Sequence, residues 1–177
     1  MRPVLFLLLA TAAHAQGTAE CDRAAVLSAA GIGPLRIGIT RDSLRRACHV
    51  VRSRQGADYQ VTIHDVRVGS DTVRVFERQG RVEWIEVDSP RFRTGDSLGA
   101  GTPAVTILNL PDVHGGPGDG TNTFALSPRS GVHCGLTFWL DPRTAEMLNA
   151  ARGDRLRLLG MRGGGIVTQV DIHGECP

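Results

Sequence analysis

The sequence predicts an α+β fold in which short helices pack on an antiparallel sheet. Three observations carry this expectation. Residues 59–68 alternate, with Tyr59, Val61 and Ile63 on one side and Gln60, Thr62 and His64 on the other, the period-two mark of a half-buried strand. Thr72 to Glu77 and Val82 to Val87 also alternate and meet at Gln79-Gly80, which reads as a hairpin. Short helix starts led by glycine precede each group of strands.

The chain opens MRPVLFLLLATAAHAQ. Arg2 gives a positive leading region, Val4 to Ala13 an apolar stretch and Ala13-His14-Ala15 a small-x-small cleavage site, together the pattern of a secretory signal peptide covering residues 1–15. The apolar run falls short of the roughly 20 residues needed to span a bilayer, and no later stretch is apolar enough to cross. The expectation is a periplasmic or secreted mature protein beginning near Gln16. Glu20 argues against lipid attachment at Cys21, because such processing sites take a small residue there.

Removing Arg2 leaves a formal net charge of +1 instead of +2. That is no electrostatic footprint for nucleic acid. All 20 basic residues are arginine, but they are scattered among acids, as on solvated faces. In an exported chain the four cysteines, Cys21, Cys48, Cys134 and Cys176, read as two disulfides with three possible connectivities. Their long spacing and the lack of a C-x-x-C pair disfavour metal binding.

Along the mature chain, alanine-rich residues 22–30 suggest a short helix. GIGPLRIGITRDSLRRAC, residues 31–48, follows. A phosphate loop would need a lysine, and the dinucleotide fingerprint would need glycine where Arg36 stands; both fail. The stretch reads as a structural corner. Thr40 caps a helix, Asp42 sets a carboxylate near its positive end, and Gly38 permits a sharp strand-to-helix turn. Residues 89–101 are a polar connector. TPAVTILNL then reads as a second helix with Thr102 as N-cap and Pro103 at the first helical position. Residues 113–122 read as a loop, Thr123–Leu126 and Val132–Leu140 as strands, Pro142–Ala151 as a helix, and Arg155–Leu159 and Ile166–His173 as closing strands.

The order of helix then strands therefore occurs twice. Aligning Gly38 with Gly101 sets Leu44 over Ile107, and each half carries one tryptophan, Trp84 or Trp139. This suggests an internal duplication, with a first unit over 16–88, a connector over 89–101 and a second unit over 102–177, all in one compact domain.

GPLRIGITRDSL also resembles the G-hydrophobic-x-x-G-M-T-x-x-x-hydrophobic signature that opens helices in small exported bacterial proteins. These include the β-lactamase inhibitor protein family, which repeats a helix-and-strand unit, and small lipoproteins of the outer-membrane assembly machinery. It is more similar still to exported bacterial proteins of unassigned role that pair GIGPLRIG with a later SPRFRT segment. The resemblance covers residues 31–48 and part of 89–108, and it implies a fold rather than an activity.

Candidate chemistry is thin. No G-x-S-x-G occurs, and Ser127 and Ser130 sit in a turn beside Pro128. Cys48-His49 and His133-Cys134 are sequence neighbours, which face opposite ways on a strand. His133 and His173 could share a face and hold zinc, but no H-E-x-x-H supports it. Asp119 and Asn122 offer too few oxygens for calcium. Of Glu83, Glu86 and Asp88, the last two share a strand face expected to look onto solvent, rather than forming a glycosidase pair. No catalytic residue, cofactor or metal is assigned. The expectation is a non-catalytic exported module that binds another protein or an envelope component. The alternative is a small hydrolase whose site assembles from dispersed His and acidic residues.

For the cysteines, strands 132–140 and 166–173 as antiparallel neighbours would bring Cys134 to Cys176, leaving Cys21 for Cys48.

Overall fold

The computed structural model describes residues 20–24, 26–58, 60–120, 122–151, 154–162, 164–174 and 176. The expected signal peptide over residues 1–15 and its cleavage site lie outside the described residues. The architecture is α+β, as expected: short helices on antiparallel sheets.

Residues 20–23 are helical, but the helix expected over 22–30 gives way to strand β1 (Leu27–Ser28), followed by β2 (Gly31–Ile32) and β3 (Leu35–Arg36) in a small meander. Leu27, Ile32 and Leu35 are fully buried, so packing overrides the helical leaning of the alanines. Helix α1 (Arg41–Ala47) starts as the sequence specifies. Thr40 accepts a hydrogen bond from the Ser43 backbone N–H, Asp42 lies in the first turn, and Leu44 is the buried residue. Gly38 sits at φ +81°, which favours glycine.

Strands β4 (His49–Gln55), β5 (Val61–Val68), β6 (Asp71–Arg78) and β7 (Arg81–Val87) form a consecutive meander. The β6–β7 hairpin turns at Gln79 and Gly80, both with positive φ, as a two-residue hairpin loop requires. In β5 the sides are not those the alternation implied. His64, Val66 and Val68 are buried on the core face, whereas Ile63 faces the other way. Pairing of His64 with Val75 and of Val66 with Val73 fixes this register, because a one-residue slip would turn Val66 and Val68 to the other face.

After the connector comes helix α2 (Ala104–Leu108), one residue later than expected. Pro103 is its N-cap position. Thr102 is not the cap: its Oγ1 accepts from the Gly99 N–H at 2.9 Å and from Arg93 Nη1 at 3.0 Å. Its carbonyl is already engaged by the Val167 N–H. The segment read as a loop contains strand β8 (Val113–Pro117), paired with β9 (Phe124–Pro128). Edge position tolerates its glycines and proline. A 3₁₀ turn (Gly131–His133) replaces the first part of the expected strand, and β10 (Leu136–Leu140) begins only after Gly135, at φ +88°. Helix α3 (Pro142–Ala150) is capped by Asp141, whose side chain accepts from the Thr144 N–H. Residues 155–159, expected as a strand, belong to helix α4 (Arg155–Arg162), and β11 (Val167–Ile172) closes the fold. R-L-R-L imitates a strand, but a helix turns Leu156 and fully buried Leu159 to one side, where they join the core.

The large sheet runs β4-β5-β6-β7-β11-β10-β9-β8. Four strands in sequence order thus meet four in reverse order at the β7–β11 seam. Helices α1, α2, α3 and α4 each send side chains into one apolar cluster, with Leu44, Ile107, Leu148 and Leu159 packed beside sheet residues such as Val75, Ile85, Phe138 and Val170. The sheet side chains of opposite phase, including Arg74, Trp84, Glu86, Trp139 and Gln169, point away from that cluster.

The two helix corners are built alike. Gly38 N–H donates to the Val82 carbonyl and Val82 N–H to that of Ile39; Gly101 N–H donates to Val167 and Val167 N–H to Thr102. Thr40 then bridges Arg81, and Pro103 bridges Ile166. Disulfides join Cys21 to Cys48 and Cys134 to Cys176. For the second, β10 and β11 are antiparallel, with Leu136 opposite Ile172, so the start of one lies beside the end of the other.

Candidate functional site

Two constellations bring together chemistry that is scattered in the sequence. The first crosses the sheet face turned away from the helices. Phe76 on β6 lies opposite Trp84 on β7, and their rings stack with centroids 4.1 Å apart and planes 13° from parallel. One layer further, Arg74 is opposite Glu86, and Glu86 opposite Asp171 on β11. Arg74 Nη2 is 2.9 Å from Glu86 Oε2. Asp171 accepts from Gln169 Nε2 at 2.7 Å and from Trp139 Nε1 at 2.6 Å. A recess of about 380 Å³ opens beside Glu86, Trp139 and Asp171, bounded across by Asp119, Gly120, Asn122 and Thr123.

Burial is the largest influence on both carboxyls of this ladder, pushing each above its ordinary value. The Asp171 charge pushes Glu86 further in the same direction, opposed by Arg74. Glu86 does point away from Ile85 and Val87 as expected, but it is not the solvated acid of a strand surface. Its side chain is only 16% exposed, and its carboxylate neighbour is Asp171, 85 residues on, across the β7–β11 seam.

The second constellation lies toward the β4 edge of the sheet, on the core side of β4, β5 and β6. Ser53 Oγ is 2.8 Å from His64 Nδ1, and His64 Nε2 is 2.9 Å from Glu77 Oε2. Arg41, at the start of α1, donates to the same carboxylate through Nε, at 2.8 Å, and Nη2. His64 and Glu77 are buried, whereas Ser53 is exposed on the edge strand. Hydrogen bonding from Arg41 is the main reason the Glu77 carboxyl sits below its usual range; burial opposes this and His64 adds to it. An ionised Glu77 can only accept, so His64 Nε2 carries the proton and, in a neutral ring, Nδ1 is left to accept from Ser53 O–H.

Most of the remaining residues singled out from sequence are placed apart from both groups. The four cysteines are all disulfide-bonded. His133 Nε2 lies 2.7 Å from Asp96 Oδ2 in the 3₁₀ turn, and His173 follows β11, its backbone N–H donating to Gly135. Among the described residues no group of three or more His, Cys, Asp or Glu gathers to hold a metal. Ser127 hydrogen-bonds Thr137 across β9 and β10. Asp119 lines the recess beside Trp139 with Asn122. Sequence reasoning passed over Ser53 and Glu77 altogether. Their only signal is polar residues at positions 53, 64 and 77 of three successive strands, which becomes meaningful once the register is known.

The two disulfides belong to the chemistry of an extracytoplasmic, oxidising compartment. Among the described residues no helix is long and apolar enough to cross a membrane. No family model and no curated protein matches the sequence, so the families named for the helix-start motif gain no support from those comparisons. A solved structure does match: the uncharacterized protein YfeY from Escherichia coli, with a TM-score of 0.57 and 14% identity, covering 84% of this chain and 99% of that one. At that identity the likeness establishes a shared fold and nothing of the chemistry.

Proposed function

We propose that the chain is an exported bacterial envelope module that docks a partner protein or envelope component on the open face of its large sheet. The observation carrying this reading is the Phe76–Trp84 stack on the face opposite the helices. Arg74 lies in the next layer and Trp139 across the β7–β11 seam. Tryptophan and arginine are the residue types that most often dominate binding energy at protein interfaces. Binding at this face needs no cofactor and no catalytic group. The leader at residues 1–15 supports the exported location, and N-terminal sequencing of secreted material should begin at Gln16 or within a few residues.

The same reading treats the chain as two tandem helix-then-strands units, 16–88 and 102–177, linked through 89–101. Supporting it are the matching backbone hydrogen bonds at the Gly38 and Gly101 corners and the mirrored strand order about the β7–β11 seam. The open face then spans both units.

Affinity capture from periplasmic and envelope extracts, comparing the native chain with Trp84→Ala and Trp139→Ala, tests the docking surface. A partner retained by the native chain and depleted with either variant supports the reading. Identical capture by all three folded proteins removes the open face from consideration.

A further inference from the structure

We infer that Ser53 is a catalytic nucleophile, with His64 as its base and Glu77 and Arg41 as positioning residues, for hydrolysis of a carboxylic ester carrying an anionic group. This site is separate from the open face and does not rest on the docking reading.

The geometry has the three links that activate a serine. The hydroxyl lies 2.8 Å from a ring nitrogen, and the other ring nitrogen lies 2.9 Å from a carboxylate, both within the 2.6–3.2 Å range expected of nucleophile and base. Glu77, held in place by Arg41, fixes the tautomer that leaves His64 Nδ1 free to take a proton. The ring is turned relative to the serine-protease arrangement, where Nε2 faces the nucleophile; either nitrogen can serve as the base. Burial of His64 and Glu77 against exposure of Ser53 puts the relay out of water and the attacking oxygen within reach of a ligand.

Ser53 borders a recess of about 460 Å³ that Arg45 of α1 also lines, whereas His49 and Arg52 take the opposite phase of β4, across from Arg67 and Asp65. The Arg45 guanidinium is the group that selects an anionic substrate. β4 is the edge strand of the large sheet.

In the first step Ser53 Oγ bonds to the ester carbonyl carbon and its proton passes to His64 Nδ1. The tetrahedral adduct collapses, the carbon–oxygen bond to the alcohol breaks, and the departing oxygen takes that proton. Water then adds to the Ser53 ester with His64 again accepting the proton. The carboxylic acid leaves and the serine hydroxyl is restored.

The test uses the full disulfide-bonded chain, a fluorophosphonate probe with peptide mapping, and hydrolysis of 4-acetoxybenzoate beside phenyl acetate. The expected result is labelling at Ser53, abolished in Ser53→Ala, with a transient acetyl mass on the Ser53 peptide during turnover. His64→Gln should slow labelling by roughly 10²–10⁴-fold. Because that variant is a core change, Ser53→Ala, an exposed one, carries the decision. Arg45→Gln should raise KM for 4-acetoxybenzoate by about tenfold or more. No label on Ser53 in the folded native chain, or hydrolysis unchanged by Ser53→Ala, overturns the catalytic assignment. A KM unmoved by Arg45→Gln overturns the anionic substrate class.

Discussion

Gly38 and Gly101 occupy equivalent positions in two separate corners: each has positive φ, +81° and +89°, and each donates its N–H to the first core valine of a strand, Val82 at 2.7 Å and Val167 at 2.6 Å. Neither site is crowded, since a Cβ at Gly38 would meet nothing within 4 Å and one at Gly101 only the Arg93 guanidinium at 3.5 Å. Alanine at either place therefore pays for backbone conformation alone. Gly38→Ala and Gly101→Ala should each cost about 1–2 kcal/mol, and the double variant should show the sum, as distant sites do. Urea titration measures all three.

Glu86 faces Asp171 across the β7–β11 seam, and both carboxyls are raised by burial. A raised folded-state value means stability that is present below the unfolded value and lost as pH rises through the folded one. At neutral pH the ionised pair is thus a liability. Glu86→Gln removes the repulsion from Asp171 and gives up the Arg74 ion pair. Its melting temperature should exceed the native one by roughly 1–3 °C at neutral pH, with the gain vanishing in acid below the ordinary carboxylate range. Thermal scans at several pH values read this directly.

Glu77 has the opposite sign. Its carboxyl is lowered, mainly by Arg41, so its contribution is present above the ordinary glutamate value and is lost as pH falls through the lower folded one. Glu77→Gln turns an amide NH₂ toward donors and leaves His64 or Arg41 short of an acceptor. The cost should be about 1–3 kcal/mol at neutral pH, and the difference from the native chain should close on acidification. A constant gap from neutral to acid pH would contradict the assignment of Glu77 as the ionised partner.

The disulfides close loops with sequence separations of 27 and 42 residues. Removing either, as Cys21→Ser with Cys48→Ser or Cys134→Ser with Cys176→Ser, should cost about 2–5 kcal/mol. Non-reducing peptide mapping of the native chain should return the Cys21–Cys48 and Cys134–Cys176 peptides. A Cys48–Cys134 peptide would contradict the structure.

What the sequence determined by itself is local. Thr40 followed by Asp42 starts a helix, Pro142 opens another, Gln79-Gly80 turns a hairpin, and alternation marks β6 and β7, because caps, turn conformations and pleat period depend on residues a few positions apart. Only the tertiary structure decided the rest. Arg155–Arg162 is a helix despite its alternating leucines, because a helical turn is what carries Leu159 into the core. Val113–Pro117 is a strand despite its glycines, because Phe124–Pro128 supplies its hydrogen-bond partners. The core side of β5 fell to His64, Val66 and Val68 through pairing with β6. Both candidate sites belong to this second class. Ser53, His64 and Glu77 meet through the β4–β5–β6 register, and Glu86 meets Asp171 through the seam between two distant strands. Long-range register is set by how buried faces match, and that energy has no address in any short stretch of chain.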